Sequence, residues 1–294
     1  MKGLPEFLDS KFIDEFIWVS PNLLSKNVLY RQYFFYQLKY NNYNVSINPV
    51  FSRNFYLGDD LIRITNSYER IGQKGSLHNT TPELLSKGDT FYTKLIDTGN
   101  KSIFEFERNK IFFSNLLQTE ITIEKPTIEI EPNNQLNKIV FFPGAFHIDR
   151  QWAPEKFSAL ASYLIQKYNT LIYICGSLKD KEISMKICKN CPDKIFDLCG
   201  KLTFGELIHF VGSSKLTISN ESFGAHLSIL LNIKTICIFN GKEPVRYMPY
   251  PAKYKYQVID INNTHFSDYI PGTVNAITIE SVIKAADTFL DTKN

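Results

Sequence analysis

Short apolar runs alternate with amphipathic stretches from residue 138 to residue 239, and this unbroken alternation constrains the fold more than any other feature. The apolar runs have the length of strands and cover residues 138–142, 171–175, 196–199, 216–219 and 235–239. The stretches between them are typical of helices and cover residues 155–167, 180–188, 204–211 and 225–231. Because strand–helix–strand connections favour parallel pairing, the pattern predicts an α/β fold with a doubly wound parallel sheet.

Residues 216–240 form the shortest strand–helix–strand segment and contain the largest number of candidate ligand-binding side chains. Asn220, Glu221 and Ser222 stand where helix caps stand, and Gly224 frees the backbone beside them. Unpaired amides and the positive end of the helix dipole would then face the crevice at the strand's carboxyl end, which suits a diphosphate. His226, one turn into the helix, could add a donor. An equally weighted alternative is that Glu221 and Ser222 only cap a core helix and that His226 is a buried histidine.

Two other turns follow strands at the same edge of the predicted sheet, one after residue 142 and one after residue 175. Ligands of open α/β sheets bind outside the carboxyl ends of the strands, so these turns are predicted to line one crevice. Arg150 is predicted to lie over that crevice and to meet a phosphate. The turn residues predicted to face the ligand are Gly144, Ala145, Phe146, Gly176 and Asp180.

The first half of the chain gives a weaker pattern. A strand candidate at residues 15–19, an aromatic helix at 28–39 and a strand at 45–50 suggest another parallel crossover. Ser52 and Arg53 close that second strand at its ligand-binding end, although an arginine in a loop is more often a solvated charge. Residues 126–137 contain two prolines and three asparagines, so we expect a linker there and two domains, residues 1–131 and 132–294.

Charge and hydropathy narrow the choice of partners. The 33 basic and 30 acidic residues leave a net charge of +3, too balanced for a nucleic-acid partner, although a mildly basic face could meet an anionic membrane. No apolar run approaches the ~18 residues of a membrane span. The first twenty residues contain Glu6, Asp9, Asp14 and Glu15, where a signal peptide would be apolar. We therefore expect a cytoplasmic protein that could also contact a membrane peripherally from the cytoplasmic side, as at an inner membrane.

The cysteines indicate a reducing compartment and argue against structural zinc. There are five, all in the second half, and an odd number without a regular spacing does not suggest a disulfide framework. Cys188 and Cys191 form a C-x-x-C pair, but a second such pair or a histidine pair is missing. No acidic cluster of the kind that binds Mg²⁺ is visible either. The sequence therefore predicts no metal site.

Several motifs together resemble glycosyltransferase family 9, the heptosyltransferases of lipopolysaccharide core synthesis. In the second half they are P-G-A-F-H-I-D-R-Q-W-A-P-E-K-F from residue 143, Y-I-C-G-S from 173, D-L-C-G-K-L-T-F-G-E-L from 197 and S-N-E-S-F-G-A-H-L from 219. The first half resembles the family more loosely, in Y-N-V-S-I-N-P-V-F-S-R from residue 43 and R-I-G-Q-K-G from 70. The resemblance implies a GT-B fold, in which two Rossmann-like domains face each other across a cleft, with acceptor on the first and nucleotide-sugar donor on the second.

The resemblance also implies roles for individual residues. Arg150 stands where the family has a lysine that holds the donor diphosphate, and Asp180 stands at the acidic position that contacts the ribose, with Glu182 as a competitor. Leu202 and Thr203 match the loop beside the adenine. The family's D-[TS]-G-P loop and its histidine correspond to Glu221, Ser222, Phe223, Gly224 and His226. Glutamate for aspartate, phenylalanine for glycine and glycine for proline are departures that leave the donor's identity open.

The activity implied by the resemblance is inverting, metal-independent transfer of a heptose-like sugar. The donor would be a nucleoside-diphosphate sugar, ADP-heptose first, and the acceptor a lipid-linked or oligosaccharide lipopolysaccharide core or related glycan; no resident cofactor is implied. The alternative is a nucleotide-binding GT-B-like protein without catalysis, acting as a binding or assembly module. A dehydrogenase is disfavoured because the chain lacks G-x-G-x-x-G.

The catalytic base cannot be assigned from the sequence. Family members begin with a strand and a Gly-Asp loop whose aspartate is the proposed base, and this chain starts at what resembles the second strand. We therefore expect the first β-α unit to be missing and the acceptor-side domain to be incomplete. If another residue supplies the base, Asp59, Asp60 and Asp89 are the first to test.

Overall fold

The structure is a computed structural model that describes residues 3–100, 102–130, 136–189, 193–239, 246–248, 250, 258–260 and 274–291. It divides into two compact units, Ile13–Ile123 and Met1–Phe12 joined with Glu124–Asn294. The division thus lies before the predicted boundary at 131/132, which falls outside the described residues. Helix α1 (Gly3–Asp9) belongs to the second unit, where the Phe7 ring packs edge-on against Phe204 with 6.1 Å between ring centroids.

The first unit contains a three-stranded parallel sheet in the order β1-β2-β3. Its strands are β1 (Val45–Asn48), β2 (Glu69–Gln73) and β3 (Lys94–Ile96). Its helices are α2 (Pro21–Lys26), α3 (Val28–Tyr40), α4 (Asp60–Thr65), α5 (Pro82–Asp89) and α6 (Glu105–Leu117). A π-type turn, Phe55–Asp59, leads into α4. Ile71, Ile96 and the fully buried Phe112 form the core of this unit.

The strand predicted at residues 15–19 does not form. These residues are extended, but no neighbouring strand pairs with them in the described structure, and Ile17 and Trp18 remain exposed. Aromatic and β-branched composition makes a segment suitable for a sheet, but a strand also needs a partner edge. The predicted aromatic helix is confirmed as α3, and the strand that follows it is β1.

The second unit contains a six-stranded sheet whose order is β6-β5-β4-β7-β8-β9 and whose described pairs are all parallel. Its strands are β4 (Lys138–Phe142), β5 (Leu171–Ile174), β6 (Ile195–Asp197), β7 (Leu216–Asn220), β8 (Thr235–Ile238) and β9 (Val258–Asp260). Its helices after α1 are α7 (Pro154–Tyr168), α8 (Lys181–Cys188), α9 (Phe204–Gly212), α10 (Phe223–Leu230) and α11 (Ile279–Leu290). The predicted doubly wound sheet is confirmed.

Both faces of this sheet are covered, which explains why its strands read as continuous apolar runs. Along β4, Ile139 and Phe141 pack into the core shared with α7 and α11, whereas Val140 and Phe142 pack into the core shared with α9. Each of these four side chains is at most 4% exposed. Alternate side chains therefore build two separate cores.

An ion cluster fastens α11 to α7. The Asp287 carboxylate accepts hydrogen bonds from the hydroxyls of Tyr163 (2.8 Å) and Tyr168 (2.7 Å), and Lys167 Nζ lies 3.0 Å from it. Burial of the carboxylate works in the opposite direction, but these bonds hold the pKa of Asp287 below its usual value.

We expect Asp287 to make stability depend on acid. Because its pKa is lowered by folding, its contribution is present above the unfolded pKa of ~3.9 and is lost as pH falls through the folded value. The Asp287→Asn variant should be less stable than the parent at pH 7 and should lose less stability on acidification. Urea midpoints at pH 7 and pH 3 measure both, with Glu280→Gln on the exposed start of α11 as control. Equal acid sensitivity of parent and variant would assign the dependence to other groups.

Within the described residues, no helix is both long and apolar enough to cross a membrane.

Candidate functional site

The turns that follow β4, β5 and β7 lie at one edge of the second unit's sheet. These strands are neighbours and all run parallel, so their carboxyl ends meet there. The sequence predicts this arrangement for the turns that begin at Pro143, Gly176 and Asn220. The structure brings all three together and adds the short 3₁₀ turn Ile148–Arg150.

Asn220 holds two of these segments in place. The residue ends β7 and is fully buried, its side-chain amide donates to the Pro143 carbonyl (2.6 Å), and its side-chain oxygen accepts from the Trp152 backbone N–H (3.2 Å). Trp152 is itself fully buried, and its indole N–H donates to the Ile277 carbonyl (2.9 Å). The sequence suggested a capping position for Asn220 and indicated no role for Trp152. Their contacts show that they position the turn carrying Arg150.

Arg150 is paired with Glu221. The Arg150 Nη1 atom lies 3.5 Å from Glu221 Oε1, and the two side chains are 29% and 8% exposed. Since Glu221 immediately precedes the first turn of α10, this pair brings a guanidinium to the start of that helix. A lone carboxylate beside an anion site would repel the anion, but in the structure the Glu221 carboxylate holds a cation.

The start of α10 has no side-chain cap. Ser222 is the N-cap residue in extended conformation, with φ −156° and ψ −177°, but its hydroxyl makes no capping hydrogen bond. The first amides of α10 therefore lack a side-chain acceptor of the usual kind. A Cβ at Gly224 would overlap the Phe142 ring, so this glycine permits close packing of α10 on β4, a role that the sequence did not indicate. Its contact with the donor stays a prediction. Phe223 packs towards the core, with its ring 5.7 Å from that of Phe204.

His226 lies half-buried one turn into α10, and its Nδ1 is 3.1 Å from the Tyr250 hydroxyl. Burial lowers the pKa of this imidazole, which favours the neutral ring at pH 7. The contact with Tyr250 fixes the orientation of the ring, which no local pattern in the sequence indicated. A neutral histidine of this kind can donate a hydrogen bond but does not bring a positive charge.

Asp180 makes local bonds. Its carboxylate accepts from the Ser177 backbone N–H and hydroxyl, both at 2.7 Å, and so caps the turn before α8. Gly144 stands against the same carboxylate, where a Cβ would overlap it. The competing acid, Glu182, is 77% exposed and pairs with Lys186 along α8. The contact between Asp180 and the ribose therefore stays a prediction. If it forms, the carboxylate makes it while also capping this turn.

The remaining residues predicted to contact the donor lie at the same edge of the sheet, but they differ in exposure and in packing. Phe146 is 95% exposed, whereas the neighbouring Ala145 carbonyl is held by the Gln151 side-chain amide at 2.7 Å. Leu202 is partly buried against the α9 core, and Thr203 caps α9 in a capping box with Glu206. Thr203 and Leu202 thus shape the loop after β6 through their own packing.

In the first unit, Arg53 is the centre of a buried ion cluster. Its guanidinium is fully buried, lies 3.4 Å from the buried Asp59 carboxylate and is paired with Asp89. The Tyr92 hydroxyl donates to Asp59 (2.6 Å) and accepts from the Asn48 amide (2.8 Å). Burial raises the pKa of Asp59 despite these partners. Neither sequence-based reading of Arg53, ligand contact or solvated charge, anticipated a buried cluster.

Ser52 lies beside this cluster and is nearly buried, 3.5 Å from the Ser76 hydroxyl. Asp60, the third aspartate singled out in the sequence, pairs with Arg63 on the surface of α4 at 2.7 Å. The part of the chain that the structure describes contains no group of three metal-ligating side chains, and Cys191 lies outside it.

Comparison with known proteins identifies one family. The model of glycosyltransferase family 9 (heptosyltransferase) matches residues 112–268. Lipooligosaccharide heptosyltransferase 2 of Campylobacter jejuni is 28% identical over 111 residues, 37% of this chain and 35% of that protein. Lipopolysaccharide heptosyltransferase 3 of Escherichia coli is 28% identical over 116 residues, 39% of this chain and 34% of that protein. The matched segment spans about a third of the length of these curated relatives.

Solved structures show the same fold over most of the chain. The family 9 glycosyl transferase of Veillonella parvula superposes with a TM-score of 0.75 at 18% identity, covering 95% of this chain and 83% of that one. The E. coli heptosyltransferase WaaC, solved with ADP-2-deoxy-2-fluoro heptose, gives 0.66 at 16% identity, covering 92% and 79%. The fold predicted from the sequence, α/β of the GT-B class, is therefore confirmed.

Proposed function

Because the chain belongs to glycosyltransferase family 9, we propose that it transfers a heptose-like sugar from a nucleoside-diphosphate sugar, ADP-heptose first, to a lipopolysaccharide-core or related glycan. We further propose that the transfer inverts the sugar's configuration and needs no metal. The observation that supports a diphosphate-bearing donor most directly is the Arg150–Glu221 pair at the uncapped start of α10.

This arrangement suits a leaving group that gains negative charge. Arg150 supplies a full positive charge, and the first amides of α10 supply aligned dipoles. His226, neutral and oriented by Tyr250, is placed to donate a hydrogen bond one turn further on. Preorganised donors of this kind stabilise charge as it develops in the transition state, so their contribution is to turnover as well as to binding.

Glu221 would change partner when the donor binds. A diphosphate competes with the Glu221 carboxylate for Arg150, and a guanidinium binds either anion in the same fork geometry. The Glu221 carboxylate would then accept hydrogen bonds from hydroxyls of the ribose or the sugar. In this proposal Glu221 holds the arginine in place until the donor arrives and afterwards orients the donor.

A second candidate function is nucleotide binding without catalysis. It is favoured by the state of the three aspartates considered as bases: Asp59 is buried and hydrogen-bonded, Asp89 pairs with Arg53, and Asp60 pairs with Arg63. A general base needs a lone pair within reach of the acceptor hydroxyl. The acceptor-side role of Ser52 and Arg53 is open on the same grounds, and the catalytic base is unassigned.

Incubation with ADP-heptose and a lipid-linked or oligosaccharide core acceptor separates the two functions. We expect ADP release and an acceptor heavier by one heptose in mass spectrometry. ADP binding without either product would support the binding module. Other nucleotide sugars and acceptors, tested in the same way, define the specificity.

The role of Arg150 gives a quantitative expectation. The Arg150→Ala variant should bind ADP more weakly by about 1.5–3 kcal/mol, because a charge-assisted pair with the diphosphate is lost. Calorimetric titration measures this, with Arg150→Lys expected to retain part of the affinity. Lys186→Ala, which removes a cation on the exposed face of α8, is the matched control and should bind ADP like the parent. An unchanged dissociation constant for ADP in Arg150→Ala would refute the proposed contact between Arg150 and the diphosphate.

A further inference from the structure

Helix α3 in the first unit exposes a line of large side chains. Leu29, Tyr33, Tyr36 and Tyr40 are 78%, 60%, 64% and 74% exposed. Their spacing of four, three and four residues places them on one side of the helix. The opposite side is fixed by Phe34, which is buried and stacks on Tyr30 with 6.2 Å between ring centroids. We call Leu29, Tyr33, Tyr36 and Tyr40 the tyrosine stripe.

The stripe is ordered and amphipathic. The Tyr36 and Tyr40 rings stack with centroids 5.7 Å apart, and the Gln37 amide donates to the Tyr33 hydroxyl at 2.9 Å. Tyrosine combines an apolar ring with a polar tip, and such side chains are enriched where hydrocarbon meets lipid headgroups. A helix of thirteen residues presents this surface over about 20 Å.

The segment of sequence that carries the stripe has charges of one sign. No aspartate or glutamate occurs from residue 16 to residue 58, although the whole chain contains 30 acidic residues. The same segment contains Lys26, Arg31 and Lys39, of which the two lysines are exposed. Exposed rings beside cations, without carboxylates among them, fit a surface that is apolar below and anionic above.

We propose that the tyrosine stripe docks on an anionic lipid surface, with α3 lying in the plane of the headgroups. A second copy of this chain fits less well, because the same segment of a partner copy would bring further cations and no carboxylate to the exposed Lys26 and Lys39. An acidic protein would satisfy the cations but would not need three exposed tyrosine rings and a leucine on one side of a helix. The inference is independent of the donor site, because every residue that supports it lies in the first unit.

Co-sedimentation with vesicles tests the proposal. We expect the whole chain to sediment with vesicles of phosphatidylglycerol and phosphatidylcholine, and to sediment far less with phosphatidylcholine alone. Lys26→Glu with Lys39→Glu should weaken binding by about fivefold or more for each charge, and added salt should act in the same direction. Tyr33→Ser with Tyr36→Ser should reduce binding even at low salt.

Two control variants share the chemistry of these changes and lie elsewhere in the first unit. Tyr68→Ser alters a tyrosine that is 87% exposed and outside α3, and Lys94→Glu reverses an exposed charge on β3. Both should bind vesicles like the parent.

Three results would overturn the proposal: no sedimentation of the parent chain with anionic vesicles, equal losses in the control variants, or a concentration-dependent dimer that the tyrosine substitutions abolish without any lipid binding. Circular dichroism of each variant checks folding, and if the tyrosine variant misfolds, the lysine variant alone decides. ADP titration in parallel keeps the outcome separate from that of the proposed function, since lipid binding and nucleotide binding can fail independently.

Discussion

Replacing Arg53 with alanine is expected to destabilise the first unit by about 3–5 kcal/mol, because the buried Asp59 carboxylate would lose its cation in a place where water cannot replace it. Asp59 is 1% exposed, and among the described residues the Tyr92 hydroxyl would be the hydrogen-bond donor left to its carboxylate. Burial already raises the pKa of Asp59, so the variant should regain part of its stability as pH falls and the carboxylate takes up a proton.

The matched control is Asp60→Ala, which breaks the surface pair with Arg63 in the same unit. Exposed pairs contribute ~0–1 kcal/mol, so this variant should remain close to the parent. Hydrogen exchange followed by mass spectrometry resolves β1 and β2 from the second unit, whose protection should not change. If Arg53→Ala and Asp60→Ala had similar effects, the buried cluster would not be the source of stability in this unit.

Replacing Asn220 with alanine should cost about 2–4 kcal/mol in the second unit and should abolish tight ADP binding. The substitution leaves the Pro143 carbonyl and the Trp152 N–H without their partner, and each unsatisfied buried group costs ~1–3 kcal/mol. It also removes the connection that positions the turn ending at Arg150. Urea unfolding gives the first quantity and calorimetric titration with ADP gives the second.

Thr217→Val tests the same argument on the same strand with the opposite expectation. Thr217 is fully buried in β7, and its hydroxyl has no hydrogen-bond partner within the described structure. Removing a hydroxyl that bonds to nothing, while keeping the shape of the side chain, should leave stability unchanged or slightly higher. If Thr217→Val lost as much stability as Asn220→Ala, β7 would be sensitive to any substitution. The loss in Asn220→Ala could then not be assigned to its two hydrogen bonds.

The regular elements were predictable because their signals are local. Strand β4 was predicted at Lys138–Phe142 and forms over those residues. A short apolar run between two polar segments is typical of a buried strand in an α/β pattern. The edge that collects the turns after β4, β5 and β7 followed from parallel connection alone. The prediction of a strand at residues 15–19 was wrong, because composition indicates only that a segment is compatible with a sheet. It does not show whether a neighbouring strand is present to pair with it.

The contacts that hold the candidate site together were out of reach because their partners are remote in the sequence. Asn220 bonds to segments 77 and 68 residues away, and Arg53 pairs with Asp89 across 36 residues. Gly224 was explained by backbone freedom, whereas the Phe142 ring is what requires it. A short polar pattern shows that such residues are unusual, but it does not show which side chain they meet.

The packing of α1 on α9 has a consequence for separating the two units. The contact between Phe7 and Phe204 joins segments almost two hundred residues apart, and the whole first unit lies between them in the sequence. The Phe7 ring also lies so close to Gly205 that a Cβ there would overlap it. A fragment that begins at Glu124 would therefore lack α1 and would expose this face of α9 to water, so the second unit is best prepared with α1 still attached.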